Sequence, residues 1–259
     1  MTPEPIITAR GVTRRFGGLV ALDGIDLDVP RGMVQAIIGP NGSGKTTLLN
    51  ALSGASHADS GSIRIGRNEI FRLKPHRIAR LGLARTFQTI RIFENLSVIE
   101  NVKVAAACNR PASLFDIVTS NARHKHTEAE IDRSSREALD VVGLAGRAND
   151  SAAQLPCAQQ RLLEIARALA SKPNVLLLDE PAAGMNMTES MTLLDTIARL
   201  KGSGITILLV EHNVRLVMGI SDRVMVLDFG RKIAEGAPSE VQRNPQVIEA
   251  YLGRRHRHA

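Results

Sequence analysis

The chain has 259 residues, of which 44% are hydrophobic and 23% charged, a composition that excludes a disordered or collagen-like protein. No apolar run approaches the roughly 18 residues of a membrane span, and the first residues predict no secretory signal. The formal charge of +7 favours a partner or ligand that carries negative charge.

The first part of the chain predicts short strands joined by turns, followed by helices. Strands are expected at residues 6–8, 24–29, 33–38 and 62–65, with a helix at 45–52. From about residue 97 to 142 the pattern becomes helical, and Ser97 with Glu100 has the spacing of a capping box. After Leu155-Pro156, apolar residues at i, i+3, i+4 and i+7 predict an amphipathic helix that ends near Pro173.

The second half alternates apolar strands with helices. Strands are predicted at residues 175–178, 205–210, 223–227 and 232–234, and helices at 188–200, 214–218 and up to residue 253. Continuous apolar strands that alternate with helices indicate a parallel sheet covered on both faces. We therefore predict one α/β domain over residues 1–259, with a core at about 1–88 and 161–259 and a helical insertion at about 89–160.

A phosphate-binding motif follows the strand predicted at 33–38. The sequence Gly39-Pro40-Asn41-Gly42-Ser43-Gly44-Lys45-Thr46 fits G-x-x-x-x-G-K-[ST]. Glycines let consecutive backbone N–H groups curl around phosphates, and the following helix adds its positive N-terminal end. Lys45 is expected to bridge the β- and γ-phosphates of ATP, and the Thr46 hydroxyl to bind Mg²⁺. The predicted nucleotide-binding residues are Gly39, Pro40, Asn41, Gly42, Ser43, Gly44, Lys45, Thr46 and Thr47.

A pair of acids follows the apolar strand predicted at 175–178. Asp179 is expected to hold Mg²⁺, and Glu180 to polarise the attacking water as a general base. Alone, an apolar run ending in acids is typical of a buried strand that meets solvent. Together with the phosphate-binding motif it favours ATP hydrolysis.

With these motifs the sequence resembles the ATP-binding subunits of ABC transporters over nearly its whole length. The resemblance implies a P-loop NTPase core with a mainly parallel sheet, an N-terminal antiparallel β part and an inserted helical subdomain. Thr86-Phe87-Gln88 resembles the Q-loop, in which Gln88 reaches the metal and the water. Val210-Glu211-His212 resembles the switch motif, in which His212 contacts the γ-phosphate, and Phe16 matches the aromatic that stacks on adenine.

The resemblance assigns roles to particular residues. The implied catalytic residues are Lys45, Gln88, Glu180 and His212, and the implied metal-binding residues are Thr46, Gln88 and Asp179. The sequence Glu180-Pro181-Ala182-Ala183-Gly184-Met185-Asn186 resembles the D-loop, which crosses the dimer interface in this family.

The family's signature segment departs from its usual pattern in this chain. It corresponds to Leu155-Pro156-Cys157-Ala158-Gln159, which the resemblance places against the ATP of the other subunit in a dimer. Its second glycine, usually constant, is here Ala158. Either the methyl group crowds the γ-phosphate, or the loop has relaxed to accommodate it.

The sequence alone favours crowding by Ala158. A lost charge-assisted hydrogen bond costs about 1.5–3 kcal/mol, whereas alanine exceeds glycine in helix propensity by only about 1 kcal/mol. Ala158→Gly is therefore predicted from the sequence to raise ATPase activity.

Other segments resemble the subfamily that serves branched-chain and other hydrophobic amino acids. These segments are Ala84-Arg85-Thr86-Phe87-Gln88, Phe93-Glu94-Asn95-Leu96-Ser97-Val98-Ile99-Glu100-Asn101, Leu216-Val217-Met218-Gly219-Ile220-Ser221-Asp222-Arg223, and residues 244–253. The resemblance implies import by a homo- or heterodimer of ATP-binding subunits through separate transmembrane permease subunits. A periplasmic or extracellular substrate-binding protein would act indirectly.

The implied location is the cytoplasm, peripheral on the inner face of the cell membrane. Cys108 and Cys157 form neither a C-x-x-C pair nor a disulfide framework, which suits a reducing compartment.

Three other functions remain open on the sequence. Urea and amide importers share much of the pattern, and Ala158 is compatible with a regulatory subunit whose hydrolysis is weakened. A soluble ABC ATPase acting on ribosomes or DNA would suit the basic charge. Such proteins usually have two ATPase units in one chain or a long coiled-coil insertion, and neither is present here. The 3% aromatic content also argues against a stacking surface for single-stranded nucleic acid, so no nucleic-acid partner is predicted.

Overall fold

The computed structural model describes residues 4–108 and 122–252. Its strands are β1 (Pro5–Phe16), β2 (Leu19–Pro30), β3 (Val34–Ile38), β4 (Ser60–Ile65), β5 (Asn68–Glu69), β6 (Leu83–Arg85), β7 (Val175–Asp179), β8 (Thr206–Val210), β9 (Arg223–Asp228) and β10 (Arg231–Gly236). Its α-helices are α1 (Lys45–Ser53), α2 (Pro75–Arg80), α3 (Val98–Cys108), α4 (Ala122–Val141), α5 (Cys157–Leu169), α6 (Met187–Gly202), α7 (Val214–Ile220), α8 (Pro238–Gln242) and α9 (Pro245–Leu252).

The strands form two sheets. One sheet is antiparallel, with the order β2-β1-β4-β5. The other has the order β10-β9-β3-β8-β7-β6, in which β9 to β6 are parallel and only β10 is antiparallel. The predicted α/β fold, with a mainly parallel sheet and an N-terminal antiparallel part, is therefore confirmed.

Burial explains why the central strands are mainly apolar. Every residue of β3, β7 and β8 is buried, as expected for parallel strands covered on both faces. In β1 and β2, exposed residues interrupt the buried ones. Buried side chains from both sheets and from α1 form one continuous apolar cluster, so the helix that follows β3 is packed on the strands that precede it.

The chain divides into two compact units. The first spans Met1–Arg85, Asn174–Pro181 and Leu200–Ala259, and the second spans Thr86–Pro173 and Ala182–Arg199. Both sheets belong to the first unit, whereas α3, α4 and α5 belong to the second. A single domain with an insertion at about 89–160 stays a prediction.

The second unit is built on contacts among α3, α4 and α5. The predicted capping box begins α3: the Ser97 backbone N–H donates to Glu100 Oε2 at 2.8 Å, and the Glu100 N–H donates to Ser97 Oγ at 3.3 Å. Within the described part of the chain, none of the helices is both long and apolar enough to cross a membrane.

Several predicted elements differ from those in the structure. Strands β1 and β2 are longer than predicted, with 12 residues each, because they pair with each other along a hairpin. Strand β6 and helix α2 were not predicted from the sequence; β6 has three residues and depends on pairing with β7, which is distant along the chain. Helix α5 ends at Leu169, before the predicted end near Pro173. Part of the helical region predicted at 97–142, together with residue 253 and the residues after it, lies outside the described residues.

Candidate nucleotide and metal site

The phosphate-binding loop joins the end of β3 to the start of α1, as the motif predicts. Gly39 has φ +152°, and a Cβ there would lie 2.1 Å from the Leu227 carbonyl oxygen. Gly44 has φ +104°, and a Cβ there would lie 2.6 Å from the Ala21 carbonyl oxygen. Only glycine fits at these two positions, because the loop backbone approaches β9 and β2 so closely.

Lys45 is buried and folds back over this loop. Its Nζ donates to the carbonyl oxygens of Gly39 at 2.8 Å and Pro40 at 2.9 Å. The loop is also held by the Gly230 N–H, which donates to the Ser43 carbonyl oxygen at 3.0 Å. The ammonium is thus fixed at the loop, where it would meet the charge of a phosphate bound by the backbone N–H groups.

Asp179 is the last residue of β7, and its side chain is only 2% exposed. Its Oδ2 accepts from Arg85 Nη2 at 2.9 Å, whereas its buried Oδ1 has no hydrogen-bond partner. A buried carboxylate oxygen is rarely left unpaired. Together with the hydroxyl of Thr46, which is exposed in the first turn of α1, it offers the oxygen ligands that Mg²⁺ prefers. These residues therefore fit the predicted metal.

Glu180 and His212 come together at the carboxyl ends of β7 and β8. Asp179 pairs with Val210 in the parallel register, and the Glu180 N–H donates to the Val210 carbonyl oxygen at 2.9 Å. His212 Nδ1 lies 3.9 Å from Glu180 Oε2. Glu180 has φ +48°, a conformation uncommon for a residue with a side chain and often found at functional sites. The structure thus brings together two predicted catalytic residues that lie 32 positions apart in the sequence.

Two buried charged residues beside this site had no role predicted from the sequence. Glu211 is fully buried, and its Oε2 accepts from the His212 backbone N–H at 3.2 Å. Arg85, which entered only as part of a subfamily segment, forms the buried ion pair with Asp179. Arg85 follows apolar residues in the sequence, which indicates a buried charge that requires a partner of opposite charge. That this partner is Asp179 follows only from the pairing of β6 with β7.

Phe16 and Tyr251 are two aromatic residues of the first unit. Phe16 is 48% exposed at the end of β1, with the Arg14 guanidinium 4.7 Å from its ring centroid. Its exposure suits the predicted stacking on adenine. Tyr251 packs against the apolar cluster that contains Ile38, the residue before the loop. Burial raises the pKa of Tyr251 to about 12, so its phenol is neutral near pH 7.

Gln88 lies in the second unit and is exposed. Its predicted role at the metal and the water stays a prediction. Its backbone carbonyl oxygen accepts from Arg161 Nη1 at 3.3 Å. A few residues later, the Arg91 backbone N–H donates to Glu164 Oε1 at 2.8 Å, and burial raises the pKa of Glu164. Both contacts attach the segment after Gln88 to α5.

The predicted signature segment, residues 155–159, also lies in the second unit and leads into α5. Helix α5 begins at Cys157, and Pro156 at its N-cap provides no side-chain hydrogen bond. Helices leave their first N–H groups unsatisfied, and such N–H groups are suited to bind anions. Ala158 is only 8% exposed. Its methyl group is therefore largely withdrawn from solvent, which favours a loop that already accommodates it over one in which it crowds the phosphate.

We accordingly expect Ala158→Gly to leave ATP hydrolysis within about twofold of the parent rate, in contrast to the expectation from sequence alone. The buried methyl contributes about 0.8 kcal/mol and the helix preference of alanine up to about 1 kcal/mol. The melting temperature should therefore fall by several degrees, at about 2–4 °C per kcal/mol for a protein of this size. Steady-state hydrolysis and thermal unfolding measure the two effects.

A matched control for this substitution is Ala153→Gly, since Ala153 is exposed and lies five residues upstream. It should change the melting temperature less than Ala158→Gly does. A clear rise in hydrolysis for Ala158→Gly alone would instead support crowding of the γ-phosphate by the methyl group.

Comparisons with known proteins show the family to which this chain is similar. The family model described as ABC transporter matches residues 22–183, and the one described as branched-chain amino acid ATP-binding cassette transporter matches residues 231–257. The chain is 42% identical over 251 residues to the high-affinity branched-chain amino acid transport ATP-binding protein BraF of Pseudomonas aeruginosa, covering 96% of this chain and 98% of the relative. It is 41% identical over 253 residues to the corresponding LivG protein of Escherichia coli, with the same coverage.

Solved structures are similar as well. The ADP conformation of MJ1267, an ATP-binding cassette of an ABC transporter, matches with a TM-score of 0.84 and 31% identity over 96% of this chain and 99% of that chain. A dimeric structure of MJ0796, a bacterial ABC transporter cassette, matches with a TM-score of 0.74 and 23% identity over 90% of this chain and 98% of that chain, which supports the fold alone.

Proposed function

This chain belongs to the ABC transporter family of ATP-binding cassettes, and on that basis we propose that it hydrolyses ATP to drive import of branched-chain or other hydrophobic amino acids. The observation that carries the proposal is the arrangement of the first unit. There, Lys45 is held at a phosphate-binding loop, and Glu180 lies beside His212 at the ends of two neighbouring parallel strands.

Different residues of this chain perform different parts of ATP binding and hydrolysis. The loop N–H groups and Lys45 bind the phosphates and neutralise their charge. Glu180 accepts the proton of the attacking water, and His212 contacts the γ-phosphate. Thr46 and Asp179 would hold Mg²⁺, whose positive charge would offset the negative charge of the phosphates. The role of Gln88 at the metal is assigned by the family resemblance alone. Phe16 stacks on the adenine ring.

The active form is a dimer, of two copies or of this chain with a related subunit. In it, residues 155–159 of one subunit face the ATP bound by the other. The uncapped first turn of α5 supports this assignment, because it offers backbone N–H groups to an anion. Separate transmembrane permease subunits translocate the amino acid, and a substrate-binding protein delivers it. The chain is then peripheral on the inner face of the cell membrane.

The substrate class is inferred from similarity to relatives, since this subunit does not contact the transported molecule. The match of residues 231–257 and the names of the two relatives above support branched-chain amino acids over urea or amides. A regulatory subunit with weakened hydrolysis is disfavoured because Lys45, Glu180 and His212 are all present.

The proposal is tested by transport. The chain is purified together with its permease subunits, placed in lipid vesicles with ATP on the cassette side, and supplied with the binding protein. We expect ATP-dependent uptake of radiolabelled leucine, isoleucine or valine, and no uptake when the cassette is Lys45→Ala. Uptake of urea or short amides, with none of the three amino acids, would overturn the proposed substrate class. Absence of any ATP hydrolysis by the assembled complex would overturn the proposed activity.

A further inference from the structure

Arg85 forms a buried polar junction in the first unit. Its side chain is 6% exposed, and it donates to atoms on two different elements. Nη2 donates to Asp179 Oδ2 at 2.9 Å, while Nη1 donates to Asn50 Oδ1 at 2.7 Å and to Ser53 Oγ at 2.8 Å. One guanidinium therefore connects the last turns of α1 to the end of β7.

These two elements carry two of the three predicted metal ligands. Thr46 lies in the first turn of α1, and Asp179 ends β7. A guanidinium is a planar fork whose donors have fixed directions, so it holds the groups it contacts at a defined separation and angle. Lysine, with a single flexible ammonium, cannot reproduce this geometry.

Only one of the two carboxylate oxygens of Asp179 has a hydrogen-bond partner. Arg85 occupies Oδ2, and the buried Oδ1 has no partner. Without Arg85 the carboxylate could rotate about its χ2 bond, since the salt bridge that fixes Oδ2 would be lost. The contact thus decides which carboxylate oxygen is available to a ligand.

We propose that Arg85 is a positioning residue for Mg²⁺: it holds the Asp179 carboxylate in a fixed orientation relative to α1, so that Oδ1 and the Thr46 hydroxyl are presented to the metal together. The inference rests on the proposed function, because Mg²⁺ at this site accompanies ATP. It adds a role for a residue that contacts neither ATP nor the metal.

A purely electrostatic effect of Arg85 would have the opposite sign. The guanidinium carries a positive charge near a divalent cation, so its removal would by itself strengthen metal binding. Loss of positioning instead weakens metal binding. Replacement by glutamine removes both the charge and the planar guanidinium, so the sign of the change in metal affinity shows which effect is larger.

The experiment measures Mg²⁺ dependence rather than turnover. A fluorescent ATP analogue is titrated against the full chain in EDTA and then at increasing Mg²⁺, and Mn²⁺ replaces Mg²⁺ in a second series followed by electron paramagnetic resonance. For Arg85→Gln we expect analogue affinity in EDTA within about twofold of the parent, but at least a tenfold higher Mg²⁺ concentration for half-saturation. The resonance of bound Mn²⁺ should broaden or change, because its ligands are less fixed.

Two further variants complete the test. Arg10→Gln is the matched control, since Arg10 pairs with Asp28 at 2.8 Å on the surface of the same unit, and it should behave as the parent does. Arg85→Lys keeps the charge and should show an intermediate loss; it also replaces Arg85→Gln if that variant does not fold.

Unchanged Mg²⁺ dependence in Arg85→Lys and Arg85→Gln, or tighter Mg²⁺ binding in Arg85→Gln, would overturn the inference. A parent protein that binds no analogue would overturn the proposed function itself.

Discussion

Lys45→Ala is expected to reduce ATP turnover by at least about a hundredfold, the scale seen when one preorganised donor to a reacting group is removed. The substitution removes the side-chain cation at the phosphate-binding loop and both hydrogen bonds from Nζ to the carbonyl oxygens of Gly39 and Pro40. ATP affinity should fall by about ten- to a hundredfold, because a hydrogen bond to a charged group contributes about 1.5–3 kcal/mol. Equilibrium nucleotide binding and steady-state hydrolysis report the two losses.

Because Lys45 is buried, Lys45→Ala also removes packing around its methylene stem. Lys45→Met keeps most of that volume without the charge, and it should lose as much activity as Lys45→Ala while unfolding closer to the parent temperature. Lys74→Ala is the matched control, since Lys74 is exposed in the same unit, and it should hydrolyse ATP at the parent rate. Parent-like hydrolysis by Lys45→Met would show that the loop assignment is incorrect.

Glu180→Gln is expected to separate nucleotide binding from hydrolysis. Glutamine keeps the size and hydrogen-bonding capacity of the side chain but cannot accept a proton from water, so turnover should fall by about 10²- to 10⁴-fold. ATP affinity should remain within a few-fold of the parent value. Since the cleavage that would reopen the dimer is blocked, ATP should stay bound and the dimer should persist during gel filtration with ATP and Mg²⁺.

The control for this experiment is Glu249→Gln, which changes an exposed acid of the same unit and should leave hydrolysis unchanged. The parent should be analysed alone and with its permease, because the isolated subunit can dimerise weakly. A Glu180→Gln protein that continues to hydrolyse ATP, and that stays monomeric at high protein concentration, would exclude Glu180 as the general base.

The phosphate-binding loop and the acids at the end of β7 could be predicted from the sequence because their chemistry is local. The glycines, Lys45 and Thr46 are contiguous, and the loop conformation depends on residues that follow one another in the chain. Composition likewise predicted β3, β7 and β8. Residues 33–38 are rich in β-forming side chains, and 175–178 and 205–210 are mainly apolar runs, as expected for strands buried on both faces.

Contacts between distant parts of the chain were decided by the tertiary structure. Arg85 and Asp179 are 94 positions apart, and they meet because β6 pairs with β7 in parallel. Glu180 lies beside His212 because β7 and β8 are neighbours in the sheet order, which no local pattern specifies. The same holds for burial: sequence identifies Ala158 as a departure from the family pattern, but its 8% exposure depends on how α5 and the residues around it pack. Local motifs determine which chemical groups are available, whereas strand order and packing determine which of them meet and which are withdrawn from solvent.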